Sequence, residues 1–110
     1  MKAKTLKQHL SEGKSMVLVD VRDVQEVTEQ PYFLHPPKNY VHVPIMPLLF
    51  ATREELEQKI FGAAGFPVTT PVVTLCHSGG RSARACEKLL QYGWHAENLE
   101  GGVEAWGQPV

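Results

Sequence analysis

Two stretches of the chain are almost continuously apolar. They span residues 16–21 and 71–76 and are rich in β-branched and aliphatic side chains. Such runs are typical of strands that are buried on both faces of a parallel sheet. Pro71 stands first in the second run, where the absence of a backbone N–H is tolerated. The pattern therefore predicts two buried strands, one in each half of the chain.

Two other segments combine apolar residues at helical intervals with the spacing of a capping box, in which Ser or Thr is followed three residues later by Glu or Gln. Thr5 with Gln8 predicts a helix over residues 6–12. The same spacing, beginning at Thr52, predicts a second helix over residues 53–61. Each segment has one apolar side, as helices that pack on a sheet do.

The second predicted strand leads through a tight loop into a third helix, which begins at Arg81 or Ser82 and ends at Tyr92. Gly93 then stands where a helix commonly stops. The apolar face of this helix repeats at helical intervals. It consists of Ala85, Cys86, Leu89 and Leu90. The order strand, tight loop, helix is the part of the pattern that bears most directly on function.

The remaining segments are less regular. Residues 30–44 contain four prolines with aromatic residues between them, which indicates a structured loop with a candidate short strand at residues 40–43. Short apolar pieces at residues 94–99 and 103–106 flank a Gly-Gly pair near the end of the chain. These pieces complete the domain, and the chain contains no internal repeat.

Strands that alternate with helices imply an α/β domain. We expect a central, mainly parallel sheet that is flanked by helices on both faces. Ligands of such sheets bind outside the carboxyl ends of the strands. Asp20 and Cys76 each stand at the end of a predicted strand, so we expect both at the same rim of the sheet.

Composition limits the classes of function. The 110 residues are 43% apolar and 21% charged, which excludes a disordered tail and predicts one soluble globular domain over residues 1–110. No apolar stretch approaches the roughly 20 residues that a membrane-spanning helix needs. The net charge of -1 gives no general attraction for nucleic acid or an anionic membrane, so we expect neither as a partner. Any anion that the protein handles must then be bound locally.

The cysteines and the first residues bear on location. Two cysteines, Cys76 and Cys86, are too few for a disulfide framework and lack the CxxC spacing of zinc ribbons and redox centres. The first residues are basic, but no apolar run of about seven residues follows them, so we expect no signal peptide. A reduced, cytoplasmic location is therefore predicted.

Residues 76–81 join a strand to a helix through a loop with two glycines, which can adopt backbone angles that other residues avoid. The loop can curl so that the N–H groups of residues 77–81 point at one centre beside the positive end of the helix. That field favours an anion, and it favours the thiolate of Cys76 over its thiol. Arg81 adds a positive charge and a planar fork for an oxyanion. We therefore predict an anion-binding site with a nucleophilic cysteine.

Three separated stretches, within about residues 5–107, resemble the rhodanese family and imply a rhodanese-like fold. The first stretch is Val19-Asp20-Val21-Arg22 with Glu26. The second stretch fits the family pattern C-x-x-G-x-R-S and reads Cys76-His77-Ser78-Gly79-Gly80-Arg81-Ser82. The third stretch runs from Asn98 to Trp106.

The resemblance also implies roles for individual residues. Cys76 and Arg81 are implied as the catalytic residues. Asp20 and Arg22 are expected to give structural support, either by bonding to the loop or through a pair of Arg22 with Glu26 at i,i+4 spacing. The residues implied to bind the substrate are His77, Ser78, Gly79, Gly80, Arg81 and Ser82.

The resemblance further implies sulfur transfer. The Cys76 thiolate would take a sulfane sulfur from thiosulfate or a persulfide, hold it as a persulfide, and pass it to cyanide or a thiol. This needs an activated thiolate and an anion cradle, which the loop offers without a metal or an organic cofactor. The expected partners are a small anionic sulfur donor, a thiol or cyanide acceptor and, as a further candidate, a sulfur-relay protein.

Two other functions stay open. Tyrosine phosphatases and arsenate reductases of similar fold use a longer C-x5-R loop around a tetrahedral group. Cys76 to Arg81 form the shorter C-x4-R loop, which favours sulfur. The second alternative is a rhodanese-like binding or regulatory module without catalysis, and the retained cysteine and loop argue against it.

The resemblance is weakest at residues 27–44. Val27 stands where the family usually has an aromatic residue, and the interval before Pro44 is longer than usual. We expect the enlarged segment, with its aromatic side chains, to line one side of the Cys76 pocket and to restrict donor size. This departure bears on the choice of substrate more than on the type of reaction.

Three further residues are not expected to take part in the chemistry. Cys86 lies on the apolar face of the third helix, so we expect it to pack in the core. His35 and His42 lack the spacing of metal ligands, so no metal site is expected.

Overall fold

The computed structural model describes residues 1–110, and a four-stranded parallel sheet lies at its centre. The strands are β1 (Val17–Asp20), β2 (Tyr40–His42), β3 (Val72–Leu75) and β4 (Ala96–Asn98). Their order across the sheet is β2-β1-β3-β4. The two apolar runs of the sequence form the two central strands, in which every residue is buried.

Six α-helices precede, connect and follow the strands. They are α1 (Ala3–Ser11), α2 (Val24–Glu29), α3 (Ile45–Phe50), α4 (Arg53–Leu56), α5 (Gly80–Gln91) and α6 (Gly102–Trp106). A π-helical stretch, Glu57–Gly62, continues α4. None of these helices combines the length and the apolar character that crossing a membrane would require.

Helices cover both faces of the sheet. Neighbouring residues of a strand point to opposite faces, so β1 contributes to two separate cores. Val17 and Val19 belong to one buried cluster, together with residues of α3, α4 and α5. Leu18 belongs to the other cluster, which contains Leu6 of α1 and Trp106 of α6. The predicted fold class, a parallel α/β sheet with helices on both faces, is confirmed.

The first helix begins earlier than the sequence predicts. Its first residue is Ala3, and Lys2 stands at the N-cap without a side-chain hydrogen bond. Thr5 therefore lies inside the helix, so the predicted capping box is wrong. A long-range contact explains the difference, because the amino group of Met1 donates a hydrogen bond of 2.8 Å to the carbonyl of Asn98 and anchors the chain before the helix.

The capping box at Thr52 is confirmed. The Thr52 hydroxyl accepts a hydrogen bond of 3.1 Å from the Glu55 N–H, and the Glu55 carboxylate accepts one of 3.0 Å from the Thr52 N–H. The helix that follows widens into its π-helical stretch after four residues, for which the sequence has no signal. Its apolar residues are nevertheless buried as the pattern predicts, namely Leu56, Ile60 and Phe61.

Two short helices were not predicted. α2 and α3 have six residues each, which is too short for a periodic pattern to stand out. α2 does begin with a capping box, formed by Asp23 and Glu26. α3 follows Pro44 and contains Pro47. Because proline is uncommon inside helices, these residues make the sequence look like a continuation of the irregular segment. Both helices follow the carboxyl end of a strand, so they stand on the side of the sheet where the candidate chemistry lies.

Candidate active site

The rim of the sheet brings Asp20 and Cys76 together as predicted. Asp20 is the last residue of β1, and its partner across the sheet is Leu75, the last residue of β3. Cys76 follows directly, and Gly80 begins α5 only four residues later. The site therefore lies where the carboxyl ends of the two central strands meet the N-terminus of a helix.

The loop folds around the sulfur atom of Cys76. The Gly79 N–H donates to the Cys76 Sγ at 3.0 Å, and the Ser82 hydroxyl donates to the same atom at 3.1 Å. Gly79 has φ +106°, a left-handed conformation that only glycine adopts without strain, and this turn aims its N–H at the sulfur. Cys76 itself is almost completely buried. The thiol is thus held by donors, as an anion would be.

These donors change the acidity of the thiol. Burial by itself raises the pKa of Cys76, but hydrogen bonds from the Ser82 hydroxyl and from the backbone of Ser82, Gly79 and Ser78 outweigh it, so the net pKa lies below the usual value. The pKa of Cys86 is raised instead, first of all by burial and then by the nearby charge of Glu97. The structure therefore favours a thiolate at Cys76 alone.

Replacing Ser82 by Ala is expected to raise the pKa of Cys76, because the hydroxyl is the strongest single donor to the thiolate. The pH profile of iodoacetamide alkylation, read by mass spectrometry at Cys76, should move to higher pH. Ser78→Ala is the matched control, since the side chain of Ser78 is exposed and only its backbone acts on the sulfur. Equal profiles for the two variants would contradict the assignment.

Arg81 is placed differently from the prediction. Its Nη1 and Nη2 donate to the two carboxylate oxygens of Glu26, both at 2.6 Å. This hydrogen-bonded pairing holds the pKa of Glu26 down at about 2. The fork that the sequence assigns to a substrate oxyanion is thus occupied by a carboxylate of α2. The predicted ion pair between Arg22 and Glu26 is wrong, because Glu26 turns to the loop instead.

Arg22 turns inward and pairs with Asp20. Both side chains are fully buried, and Arg22 Nη2 lies 2.7 Å from the Asp20 Oδ2. The Tyr40 hydroxyl donates to the same oxygen at 2.6 Å, and Arg22 Nη1 donates to the carbonyl of Gln30 at 2.6 Å. A buried pair that is satisfied in this way fixes the end of β1 and the chain that follows it. The two side chains bond neither to the loop of residues 76–81 nor as an Arg22–Glu26 ion pair, so the predicted contacts are replaced by this pair of Asp20 with Arg22.

The outer side of the loop is held by α6. The N–H groups of Val103 and Glu104 donate to the carbonyls of Cys76 and His77, at 2.9 and 3.2 Å. Because these carbonyls are drawn toward α6, the N–H groups of the loop are left to face the sulfur. Gly102 allows the close approach, since a Cβ there would lie 2.4 Å from the His77 carbonyl oxygen. The sequence had pointed to this stretch only through its resemblance to a family motif.

The irregular segment of residues 30–44 contacts the site through the backbone of Cys76. Tyr32 is 1% exposed, and its hydroxyl donates to the Cys76 carbonyl at 2.5 Å. Phe33 is also buried, and both rings pack edge-on against Trp106. The expectation that these aromatic side chains line the pocket is therefore wrong, because burying them in the core removes more apolar surface from water.

The histidines stand outside any metal cluster. His77, on the loop, lies with its Nε2 2.7 Å from a carboxylate oxygen of Glu104. His42 Nε2 lies 2.6 Å from the carbonyl of Arg22. No group of three or more His, Cys, Asp or Glu side chains is arranged to hold a metal ion. Cys86 is buried on α5, as its packing role predicts.

Known proteins are similar to this chain in sequence and in fold. The sequence model of the Rhodanese-like domain family matches residues 2–109, so this chain belongs to that family. A protein of Allochromatium vinosum named sulfurtransferase is 28% identical over 107 residues, which cover 96% of this chain and 85% of that protein.

Solved structures agree with this assignment. The crystal structure of a rhodanese-like domain protein from Staphylococcus aureus has a TM-score of 0.74 and 29% identity, and the match covers 98% of this chain and 90% of the other. The human single-domain sulfurtransferase TSTD1 matches with a TM-score of 0.70 and 20% identity, over 96% of this chain and 92% of its own. At that identity the second likeness shows the fold alone. The resemblance inferred from three stretches of sequence is confirmed.

Proposed function

We propose that this protein is a sulfurtransferase that carries a sulfane sulfur on Cys76, from thiosulfate or a persulfide donor to a thiol or cyanide. The observation that supports it most is the Cys76 sulfur itself, which is buried, accepts hydrogen bonds from Gly79 and Ser82, and has a lowered pKa. A thiolate at neutral pH is the nucleophile that sulfur transfer requires.

Two displacements make up the proposed reaction. The Cys76 thiolate attacks the sulfane sulfur of the donor, a new S–S bond forms, and the donor's own S–S bond breaks with its electron pair leaving on sulfite or a thiolate. An acceptor thiolate or cyanide then attacks the outer sulfur and expels the Cys76 thiolate. No external oxidant or reductant is needed, because the sulfane sulfur is passed on at each step.

The loop suits the persulfide intermediate. The first N–H groups of a helix have no partner within the helix, and the backbone of Ser82 at the start of α5 acts on the sulfur together with that of Gly79 and Ser78. The positive end of the twelve-residue helix adds to them. The same donors stabilise Cys76 as a leaving group in the second step, since they lower the basicity of its thiolate.

Mass spectrometry of the intact protein tests this proposal. Incubation with thiosulfate, and separately with glutathione persulfide, should add one sulfur atom to Cys76 and none to Cys86, whose pKa is raised. Cyanide or a small thiol should then remove that sulfur. An aryl phosphate should yield no phosphate, because the loop from Cys76 to Arg81 is one residue shorter than a phosphatase loop.

Other outcomes would favour the alternatives. Phosphate release without sulfur transfer would make the protein a phosphatase of this fold. A protein that never gains sulfur from several donors would be a binding or regulatory module.

A further inference from the structure

Both basic side chains of the catalytic loop are paired with a carboxylate. Arg81 makes two hydrogen bonds of 2.6 Å to Glu26 of α2. His77 lies 2.7 Å from Glu104 of α6. The two acids reach the loop from opposite ends of the sequence, and all four side chains are partly exposed to solvent.

The rim around Cys76 therefore carries no surplus of positive charge. Glu26 cancels Arg81, and its hydrogen bonds are the main reason that the pKa of Arg81 is raised, with a smaller contribution from the charge of Asp23. Glu104 places a carboxylate against His77 in a similar way. Asp20 and Arg22, at the end of β1, form a buried pair of zero net charge.

The pairing of Arg81 also occupies the face of its guanidinium group that the two Nη nitrogens form. Glu26 takes both Nη1 and Nη2, the two nitrogens that would bind a substrate oxyanion in the bidentate manner. A donor oxyanion must displace the Glu26 carboxylate or approach without this contact. Either way, the donor meets the Glu26 carboxylate on Arg81, at the end of the loop that begins with Cys76.

We propose that Glu26 and Glu104 determine donor choice by disfavouring the thiosulfate dianion and favouring donors with at most one negative charge at the reacting end, such as an organic persulfide or a thiosulfonate. This inference rests on the sulfur transfer proposed above. Each added negative charge on a donor is repelled by the same carboxylates, so a dianion feels about twice the effect that a monoanion of equal shape feels.

Methanethiosulfonate is the matched probe for this effect. It has a methyl group in place of one charged oxygen of thiosulfate, so shape is nearly kept while the charge falls from two to one. In both cases the Cys76 thiolate attacks the sulfane sulfur and the S–S bond of the donor breaks. The leaving group is sulfite from thiosulfate and methanesulfinate from the probe, and the enzyme becomes the same persulfide.

The Glu26→Gln variant tests the proposal through kcat/KM for the two donors. We expect an increase of about fivefold for thiosulfate and about twofold for methanethiosulfonate, because the lost repulsion acts on two charges and on one. Added salt should lower kcat/KM for thiosulfate more in the variant than in the wild type, because it screens the attraction of an Arg81 charge that Glu26 no longer cancels.

Two further variants complete the design. Glu57→Gln removes the same charge from an exposed side chain of the π-helical stretch, in a surface cavity that no residue of the catalytic loop lines, and it should leave the ratio of the two donors unchanged. Glu104→Gln should shift that ratio in the same direction as Glu26→Gln. Because the side chain of Glu104 is exposed, this variant should fold like the wild type. Circular dichroism checks that each variant is folded.

The outcomes separate this inference from the function on which it rests. If both donors load sulfur on Cys76 but neither Glu26→Gln nor Glu104→Gln changes the donor ratio or the salt profile, the role of the carboxylates is refuted and the sulfurtransferase stands. If neither donor loads sulfur on wild-type Cys76, the proposed function itself fails.

Discussion

The Cys76→Ser variant is expected to lose sulfur transfer, with turnover falling by at least about a thousandfold. A serine hydroxyl stays protonated at neutral pH and cannot form a persulfide, so the first displacement has no nucleophile. The fold should survive, because the hydroxyl can accept the same hydrogen bonds from Gly79 and Ser82 as the sulfur does. Thiocyanate formation from a persulfide donor and cyanide measures the loss.

Cys86→Ser is the matched control. This variant replaces the same atom at a second buried cysteine. Cys86 stands on α5, ten residues after Cys76 in the chain, and lies outside the loop that surrounds the Cys76 sulfur. Turnover should stay near that of the wild type. A Cys76→Ser protein that keeps turnover, or a Cys86→Ser protein that is folded and loses it, would mean that sulfur is carried elsewhere.

Replacing Gly102 by Ala is expected to destabilise the protein by roughly 4 kcal/mol or more, an unusually large cost for a single methyl group. Gly102 has φ +55°, and an added Cβ would lie 2.4 Å from the carbonyl oxygen of His77 and 2.6 Å from that of Cys76. These are backbone atoms of the loop of residues 76–81 and cannot rotate away as a side chain can. The loop or α6 must move instead.

Gly13→Ala separates this clash from the cost of backbone conformation. Gly13 has φ +71°, but an added Cβ would meet no atom within 4 Å. Its cost should stay at the roughly 1–2 kcal/mol of a left-handed non-glycine residue. Urea unfolding of the two variants measures the difference. Equal free energies of unfolding would show that the loop accommodates the methyl group.

The Cys76 thiol should also be less acidic in the Gly102→Ala variant than in the wild type. α6 holds the carbonyls of Cys76 and His77, so displacing it also displaces the N–H groups that face the sulfur. We expect the pKa of Cys76 to rise in this variant, and alkylation to move to higher pH, with no such change in Gly13→Ala. An unchanged alkylation profile would show that the loop keeps its shape without α6.

Local patterns in the sequence were enough for the two central strands and for the place of Cys76. The runs that became β1 and β3 are recognisable because a strand buried on both faces needs apolar residues at every position. Cys76 stands at the rim because it ends one of these runs and precedes a helix. Both conclusions depend on neighbours in the chain, so they need no knowledge of distant contacts.

Only the tertiary structure decided which partners the charged and aromatic side chains take. Glu26 had Arg22 four residues away, yet it binds Arg81, because Arg22 is buried against Asp20 and only Arg81 presents a free fork. Tyr32 is buried in the core instead of lining the pocket, and its hydroxyl donates a hydrogen bond to the Cys76 carbonyl there. Such choices are competitions between several chemically suitable partners, and spacing along the chain cannot rank partners that folding brings together from 44 and 55 residues away.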